Sequence, residues 1–598
     1  MLAPNSRELL LDALRPDPGF VLECAVGTTF SLDLDALLLA PLAFALFDVD
    51  AGSADADPIA LLAAITSYAR KMAIYTDAAH ICVPSKERPL MQLLESTIRP
   101  IEMPDGAFHP KVWALRYVTP DGERRHRVLV LSRNLTFDRS WDTVLRLDED
   151  PDATGDLNGR ELETFLDYLR TRKPSSVVDD LLTTIGRVSF APPPLFDELR
   201  FWPMLANGAD PMRDVGASSV LVVSPFATSG RLAQLAPDAK RRALVTRSDT
   251  LTELGGHTLA PWHEVFVLRG EAIDDDPEHD EAIATLSGLH AKLYVFDDGR
   301  KRRIFTGSAN ATTASLARNI ELVVELSSHD ASTRVDRLLG ETDGTPTLRA
   351  LLTPRRPESD EPVPKTAREV EADRLEALAR ALAAGRPVAK AQSDAAGRWS
   401  VAFTLPLGGV ELAPHDKLRA RLVTTTGVWQ QLSGNSSEMR GDLPAGAASR
   451  VSSLVAVELA GDPHLGVAPE RFVVIAELID APENREDQLL LDLLPDAEKL
   501  MRLLFMLLAD GRDGADAAGE VRRILAGHGS GDSTPWSPQL PLFENLVRTF
   551  AREPERLQTI RGVIDKMRTA PDGLDRFPPG FLELWSTFER VLPKKAGA

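Results

Sequence analysis

The chain has 598 residues, 43% apolar and 26% charged, with a formal net charge of −20. That length exceeds what one hydrophobic core covers, so several domains are expected, and the composition excludes a disordered or fibrous protein. The acidic balance argues against a surface that binds nucleic acid indiscriminately, while leaving room for a local basic cleft.

Cys24 and Cys82 are the only cysteines, and no Cys/His ligand spacing occurs. A disulfide framework is therefore excluded, no metal or other cofactor is expected, and a reducing cytoplasm is the expected compartment. The first residues lack the charged start and apolar core of a signal peptide. The most apolar stretch, 37–47, is too short to span a bilayer and contains Pro41.

Residues 7–14 read as a short helix stopped before Pro16, and 22–30 as a strand. Ser31 is a suitable N-cap for the apolar run that follows, with Asp33 and Asp35 in its first turn and Pro41 expected to kink or split it. A second strand is expected at 71–76 and a helix at 90–97. The sequence His109-Pro110-Lys111 then opens a strand running to Val118. Pro120-Asp121-Gly122 turns it, and 128–131 returns it to Ser132-Arg133-Asn134. A short helical stretch follows, then a strand opened by Asp142. Helices are expected at 162–169 and 177–185, with Pro192-Pro193-Pro194 marking a boundary.

Strands at 220–223, 243–246 and 265–268 lead to a second hairpin. It opens with His290-Ala291-Lys292 in a strand over 289–296, followed by Asp297 and the turn Asp298-Gly299. Residues 303–307 return to Gly307-Ser308-Ala309-Asn310, and Glu321 opens the next strand. Side chains two apart on a strand share a face, so His290 and Lys292 point together. The hairpin brings an imidazole, an ammonium, an amide and a hydroxyl to one place, which suits an anionic phosphorus centre. His290 stands 181 positions after His109, and Ser132, Asn134 and Asp142 follow the first motif as Ser308, Asn310 and Glu321 follow the second. One His-x-Lys arises often by chance. Two copies with the same followers mark a duplicated domain with one site between its halves.

This duplicated pattern resembles the phospholipase D superfamily, whose signature is His-x-Lys, four residues, Asp, and then Gly-Ser-x-Asn. The resemblance covers roughly residues 20–330. The second copy matches in full, whereas the first has Arg116 for the Asp and Leu131 for the Gly. In the family that Asp lies away from the catalytic centre. The resemblance implies a metal-independent phosphodiesterase in which one histidine, usually that of the first motif, becomes phosphorylated. His109 is then the nucleophile and His290 the general acid. Lys111, Lys292, Asn134 and Asn310 hold the non-bridging oxygens, with Ser132 and Ser308 beside them. Asp142 and Glu321 each orient a histidine, as acids do in other triads. Ordinary polar residues at strand ends, or an inactive first copy, are the plain alternatives.

The basic turns Arg124-Arg125-His126-Arg127 and Arg300-Lys301-Arg302-Arg303 lie at the far end of each hairpin from its histidine, about 20 Å away at ~3.3 Å per residue. They read as solvated turns, and the acidic run 274–281 reads as a solvated loop. Residues 354–364 read as a linker and 366–384 as an amphipathic helix. From 398 the pattern alternates as in strands, and from 486 it is helical.

The expected architecture is α/β. Two similar phospholipase D-like lobes (1–195 and 196–350) carry mixed sheets flanked by helices. A linker and helix (351–397), a small β domain (398–482) and a helical C-terminal region (483–598) follow. A nuclease acting on DNA, in bacterial restriction or antiphage defence, is the favoured reading. The Ser-Arg-Asn-Leu-Thr and Gly-Ser-Ala-Asn-Ala-Thr forms resemble the nuclease branch, and no lipid-anchoring helix is seen. A phospholipid-cleaving or phosphatidyl-transfer enzyme is the second reading, and a non-catalytic binding subunit the third. A protein partner would use residues 398–598.

Overall fold

In the computed structural model, the described residues are 10–592 without 46–57, 104, 138–139, 154–156, 206–207, 209, 270–287, 341–346, 358, 426, 510–541, 553–555, 571 and 579. The acidic run 274–281 and part of the C-terminal region lie outside them.

The first sheet holds β1 (Val21–Thr29), β3 (Met72–Asp77), β5 (Ile98–Ile101), β6 (Val112–Val118), β7 (Arg124–Leu131) and β8 (Val144–Asp148), in the order β5-β3-β1-β6-β7-β8. A short parallel pair, β2 (Leu32–Asp33) and β4 (Ile81–Cys82), sits beside it. The second sheet holds β9 (Glu198–Met204), β10 (Ser219–Val223), β11 (Arg241–Val245), β12 (Glu264–Leu268), β13 (Leu293–Asp297), β14 (Arg302–Gly307), β15 (Glu321–Ser328) and β16 (Leu352–Pro354). Its order is β16-β12-β11-β10-β13-β14-β15-β9. In each lobe two strands parallel to the central one (β1 or β10) lie on one side, and an antiparallel hairpin plus a third strand lie on the other. β9 and β16 are additions at the edges of the second lobe. The repeat expected from two motifs is thus a repeat of whole sheets.

One face of each sheet turns toward the other lobe. Val112, Ala114, Val128 and Val130 share a buried core with Leu293, Val295, Ile304, Leu322 and Val324. Strands buried on both faces read as continuous apolar runs, as β10 (Ser-Val-Leu-Val-Val) does. The outer face of lobe 1 is covered by helices Leu34–Phe44 and Pro58–Tyr68. The C-terminal helices Ala497–Ala509, Arg556–Thr569 and Phe581–Glu589 continue that same core. Leu557, Ile560, Ile564 and Met567, expected at helical spacing, are all buried there.

Several local expectations are refined. The cap of helix Leu34–Phe44 is Asp33, not Ser31, because its carboxylate accepts from the backbone of Asp35 and Ala36. Pro41 stays inside that helix. Pro89–Thr97 winds as a 3-10 helix. No helix follows the first motif among the described residues. Leu135 there pairs instead with Leu32, donating to Thr29 and accepting from Asp33. The hairpin turns do form, with Gly122 at φ 87° and Gly299 at φ 93°.

Helix Ala367–Ala383 carries a capping box between Thr366 and Glu369. The β domain is a sandwich of a five-stranded and a four-stranded sheet. It begins at β17 (Val388–Ser393), inside the interval read as linker and helix. Only two side chains of β17, Ala389 and Ala391, are buried, and alanines give no β signal. Arg485 binds Glu95 at 2.8 Å and Gln92 donates to the Val451 carbonyl at 3.0 Å, so sandwich and helices dock on lobe 1. Among the described residues no helix is long and apolar enough to cross a membrane.

Candidate active site

Both His-x-Lys segments lie just before their strands rather than in them, because each leaves its own sheet to pair with the other lobe. Phe108 bridges Ile320, and the His109 amide donates to the Ile320 carbonyl at 2.9 Å. Leu289 bridges Trp141, and the amides of His290 and Ala291 donate to the Trp141 carbonyl at 2.8 and 3.0 Å. Each motif is therefore fixed by the segment that leads to the acid of the opposite half.

That exchange places Glu321 of lobe 2 on His109 of lobe 1. His109 Nδ1 lies 2.9 Å from Glu321 Oε2. The Ser308 hydroxyl donates to the same carboxylate oxygen, and Asn319 Nδ2 donates to the other at 3.1 Å. Glu321 is fully buried. Burial alone would raise its pKa, yet His109, Lys111 and Ser308 hold it below the usual carboxylate range. An ionised Glu321 fixes the tautomer of His109, with the proton on Nδ1 and the lone pair on Nε2.

On the other side His290 Nδ1 lies 2.8 Å from the Ser132 carbonyl, its nearer contact, and 3.4 Å from Lys292 Nζ. A carbonyl can only accept, so it too fixes the proton on Nδ1. Asp142, expected to orient a histidine, has its carboxylate 3.7 Å from Arg133. Lys111 donates to its own His109 carbonyl at 2.8 Å, and Lys292 to the His290 carbonyl at 2.6 Å. Both ammonium groups are nearly fully buried. Burial, then the charge of Lys292, pushes Lys111 well below the usual lysine range. Burial is also the main reason that His109 falls to about 4 and His290 to about 2, with the two lysines adding to it. The lysine of each motif acts on the histidine of the other as well as on its own. At neutral pH both imidazoles are neutral.

Asn134 and Asn310 complete the symmetry. The side-chain oxygen of each is buried without a hydrogen-bond partner. Two such amides at equivalent points are what a site awaiting a ligand presents. Ser132 and Ser308 have structural roles: each hydroxyl accepts from the backbone amide of the third strand, Thr143 or Leu322, at 2.8 and 3.0 Å.

The departures from the motif are accommodated locally. Arg116 sits far along β6, buried, bound to Glu23 at 2.6 Å and to the Asp180 carbonyl at 2.7 Å. Gly307 has φ 145°, and a Cβ there would lie 2.4 Å from the Leu322 carbonyl oxygen. Leu131 has no such approach and pairs directly with Val144. The basic turns are neutralised by acids: Arg124 by Glu23, Arg125 by Glu123, His126 by Glu149, Lys301 by Glu198 and Arg303 by Glu325.

Three residues near the site have no sequence motif. Asp77, at the end of β3, accepts from the Phe108 amide at 3.0 Å and pairs with His80 at 2.8 Å. Phe30 packs between the rings of His80 and His109, with centroids 3.9 and 5.1 Å away. The signal available was position: ligands gather at the carboxyl ends of parallel strands, and both residues stand at such ends. A cleft of about 430 Å³ leads to His290 and is lined by Ser31, Asp33, Asn134, Phe137 and Arg247 among others.

Residues 274–341 match the family model described as cardiolipin synthase, PLD-like domain. No curated protein matches the chain by sequence. Among solved structures, polyphosphate kinase from Porphyromonas gingivalis is similar at 15% identity and TM-score 0.29, over 61% of this chain and 50% of that one. The chain thus spans half the length of that protein. Phosphatidylserine synthase from Haemophilus influenzae Rd KW20 is similar at 11% identity and TM-score 0.33, over 62% of this chain and 91% of that one.

Proposed function

We propose that this chain, a member of the phospholipase D superfamily through its matched domain and its duplicated motif, is a metal-independent phosphodiesterase that acts on nucleic acid. The observation that carries the chemistry is the pair of histidines whose Nδ1 protons are held by acceptors fixed in place. Each then offers Nε2 as base or nucleophile.

The phosphate of a bound diester takes its oxygens to Lys111, Lys292, Asn134 and Asn310, where charge builds in the transition state. The anionic diester draws a proton from solvent onto His290 as it binds; His109 Nε2 then attacks phosphorus, and the bond to the leaving oxygen breaks as protonated His290 gives that oxygen its proton. His109 then carries the phosphoryl group, and its Nδ1 proton and positive charge face Glu321. Neutral His290 next takes a proton from water, the hydroxide attacks phosphorus, and the electron pair of the P–N bond returns to His109. A neutral nucleophile beside a carboxylate and a second histidine without one fit these two roles in that order.

Arg247, Asn134 and Ser140 stand in the cleft beside the ring of Phe137, and a cation, polar groups and a planar ring together suit a polynucleotide, which supports nucleic acid over lipid. The test is hydrolysis of a small p-nitrophenyl diester and of a DNA oligonucleotide in EDTA. Turnover by the wild type and none by His109→Asn or His290→Asn supports the reading. Activity that appears only with added Mg²⁺ refutes it.

A further inference from the structure

Among the described residues, ten large hydrophobic side chains are exposed, and the only aromatic ones are Phe137 and Phe226, at 48% and 44%. Phe137 lines the cleft that leads to His290, and Phe226 packs on an arginine that lines it. Phe137 lines it from lobe 1, three residues beyond Asn134. Phe226 comes from lobe 2, and the guanidinium of Arg247, which also lines the cleft, lies 5.7 Å from its ring centroid. Arg247 has an ion pair with Asp249 at 3.8 Å, but Asp249 is exposed and such a pair holds it weakly.

The repeat shows that this exposure is specific to one side. Phe30 follows β1 as Ser224-Pro225-Phe226 follows β10. Phe30 is turned inward, between His80 and His109. Phe226 is turned out to solvent beside an arginine. Two planar faces and a cation beside a phosphate site are what a strand of planar bases joined by phosphates requires.

The depth of the site points the same way. His109 has 11% of its side chain exposed, so the scissile phosphate must descend to meet it. A single strand can bend into a cleft of about 430 Å³, whereas a duplex holds its phosphates on a stiff cylinder.

We propose that Phe137, Phe226 and Arg247 form a stacking platform that selects single-stranded polynucleotide over duplex. It would hold the bases that flank the phosphate on which His109 and His290 act. The inference rests on the nucleic-acid reading above and adds the form of the substrate.

The experiment uses the full chain carrying His109→Asn and measures binding of a labelled DNA oligonucleotide by fluorescence anisotropy, single-stranded and then annealed. Stacking on an aromatic side chain commonly changes affinity by about tenfold or more per base. At least about tenfold tighter binding of the single strand is expected, lost in Phe137→Ala/Phe226→Ala and restored when Trp replaces each Phe. Equal binding of both forms, or no effect of the double alanine variant, overturns the proposal. So does tighter binding to phosphatidylglycerol vesicles than to the single strand, which would assign the two rings to a lipid surface. In the active chain, turnover of methyl p-nitrophenyl phosphate, which has no base to stack, reports separately on the phosphodiesterase reading. Its absence alongside intact single-strand preference would sink that reading and leave the platform standing.

Discussion

Replacing Glu321 by Gln keeps the shape of the site and removes one charge. Glu321 Oε2 lies 2.9 Å from His109 Nδ1, is fully buried, and also accepts from Ser308 and Asn319. Opposite unit charges about 4 Å apart interact by roughly 4 kcal/mol at an effective dielectric near 20. A hydrogen bond to a charged group contributes about 1.5–3 kcal/mol. His109 becomes cationic only when phosphorylated or protonated, so most of this acts on the transition state and the intermediate. A loss of about 3–4 kcal/mol corresponds to a fall of about 10²–10³ in rate. Stability should change less, by about 1 kcal/mol, since the amide keeps one acceptor oxygen and its new N–H can meet His109 Nδ1, whose tautomer can switch to accept. The assay is kcat/KM on a p-nitrophenyl diester beside the thermal midpoint of each variant. Asp142→Asn is the comparison, expected to fall less because the Ser132 carbonyl holds His290 Nδ1. A drop below about fivefold in Glu321→Gln, with the fold intact, would refute the reasoning.

Anion binding should take up protons at pH 7. Both histidines sit below their ordinary value and are neutral at that pH. A bound anion favours their charged forms, so tungstate should bind more tightly as pH falls, with a binding enthalpy that depends on the ionisation heat of the buffer. No buffer dependence would contradict this. Gly307→Ala should destabilise by about 2 kcal/mol or more, because it adds left-handed strain and a carbonyl clash, and chemical denaturation measures it. Arg125→Gln and Lys301→Gln should leave oligonucleotide cleavage within about twofold, since each side chain pairs with an exposed acid far from the site. A larger fall, with steeper salt dependence, would place the substrate path over the turns.

Residue types at fixed spacing were legible in the sequence, and backbone partners were not. His109, Lys111, His290, Lys292 and the two asparagines could be singled out because a repeated motif is a pattern of side chains. The order of strands followed from apolar runs and glycine turns. Which acid meets which histidine was hidden, because it depends on each motif leaving its sheet for the opposite lobe. The Ser132 carbonyl on His290 was hidden too, since every residue has a carbonyl. Asp77 and Phe30 belong to no motif, and only the parallel-strand ends mark them. The burial of the histidines has a further consequence. His109→Ala would leave Glu321 Oε2 without one of its hydrogen-bond donors and cost stability, so Asn is the better replacement.

The account stands or falls on which histidine carries the phosphoryl group. A p-nitrophenyl diester loses its leaving group without an acid, so His290→Asn should complete the first step and stall at the second. Mixing that variant with the diester in EDTA should release one p-nitrophenolate per chain in a burst. Quenching under conditions that preserve phosphoramidates, then digestion and mass spectrometry, should place the adduct on His109. His109→Asn should give neither burst nor adduct. An adduct on His290 in that second variant would reverse the two roles. No adduct on either histidine, in a preparation that turns the diester over only with Mg²⁺, would contradict the mechanism.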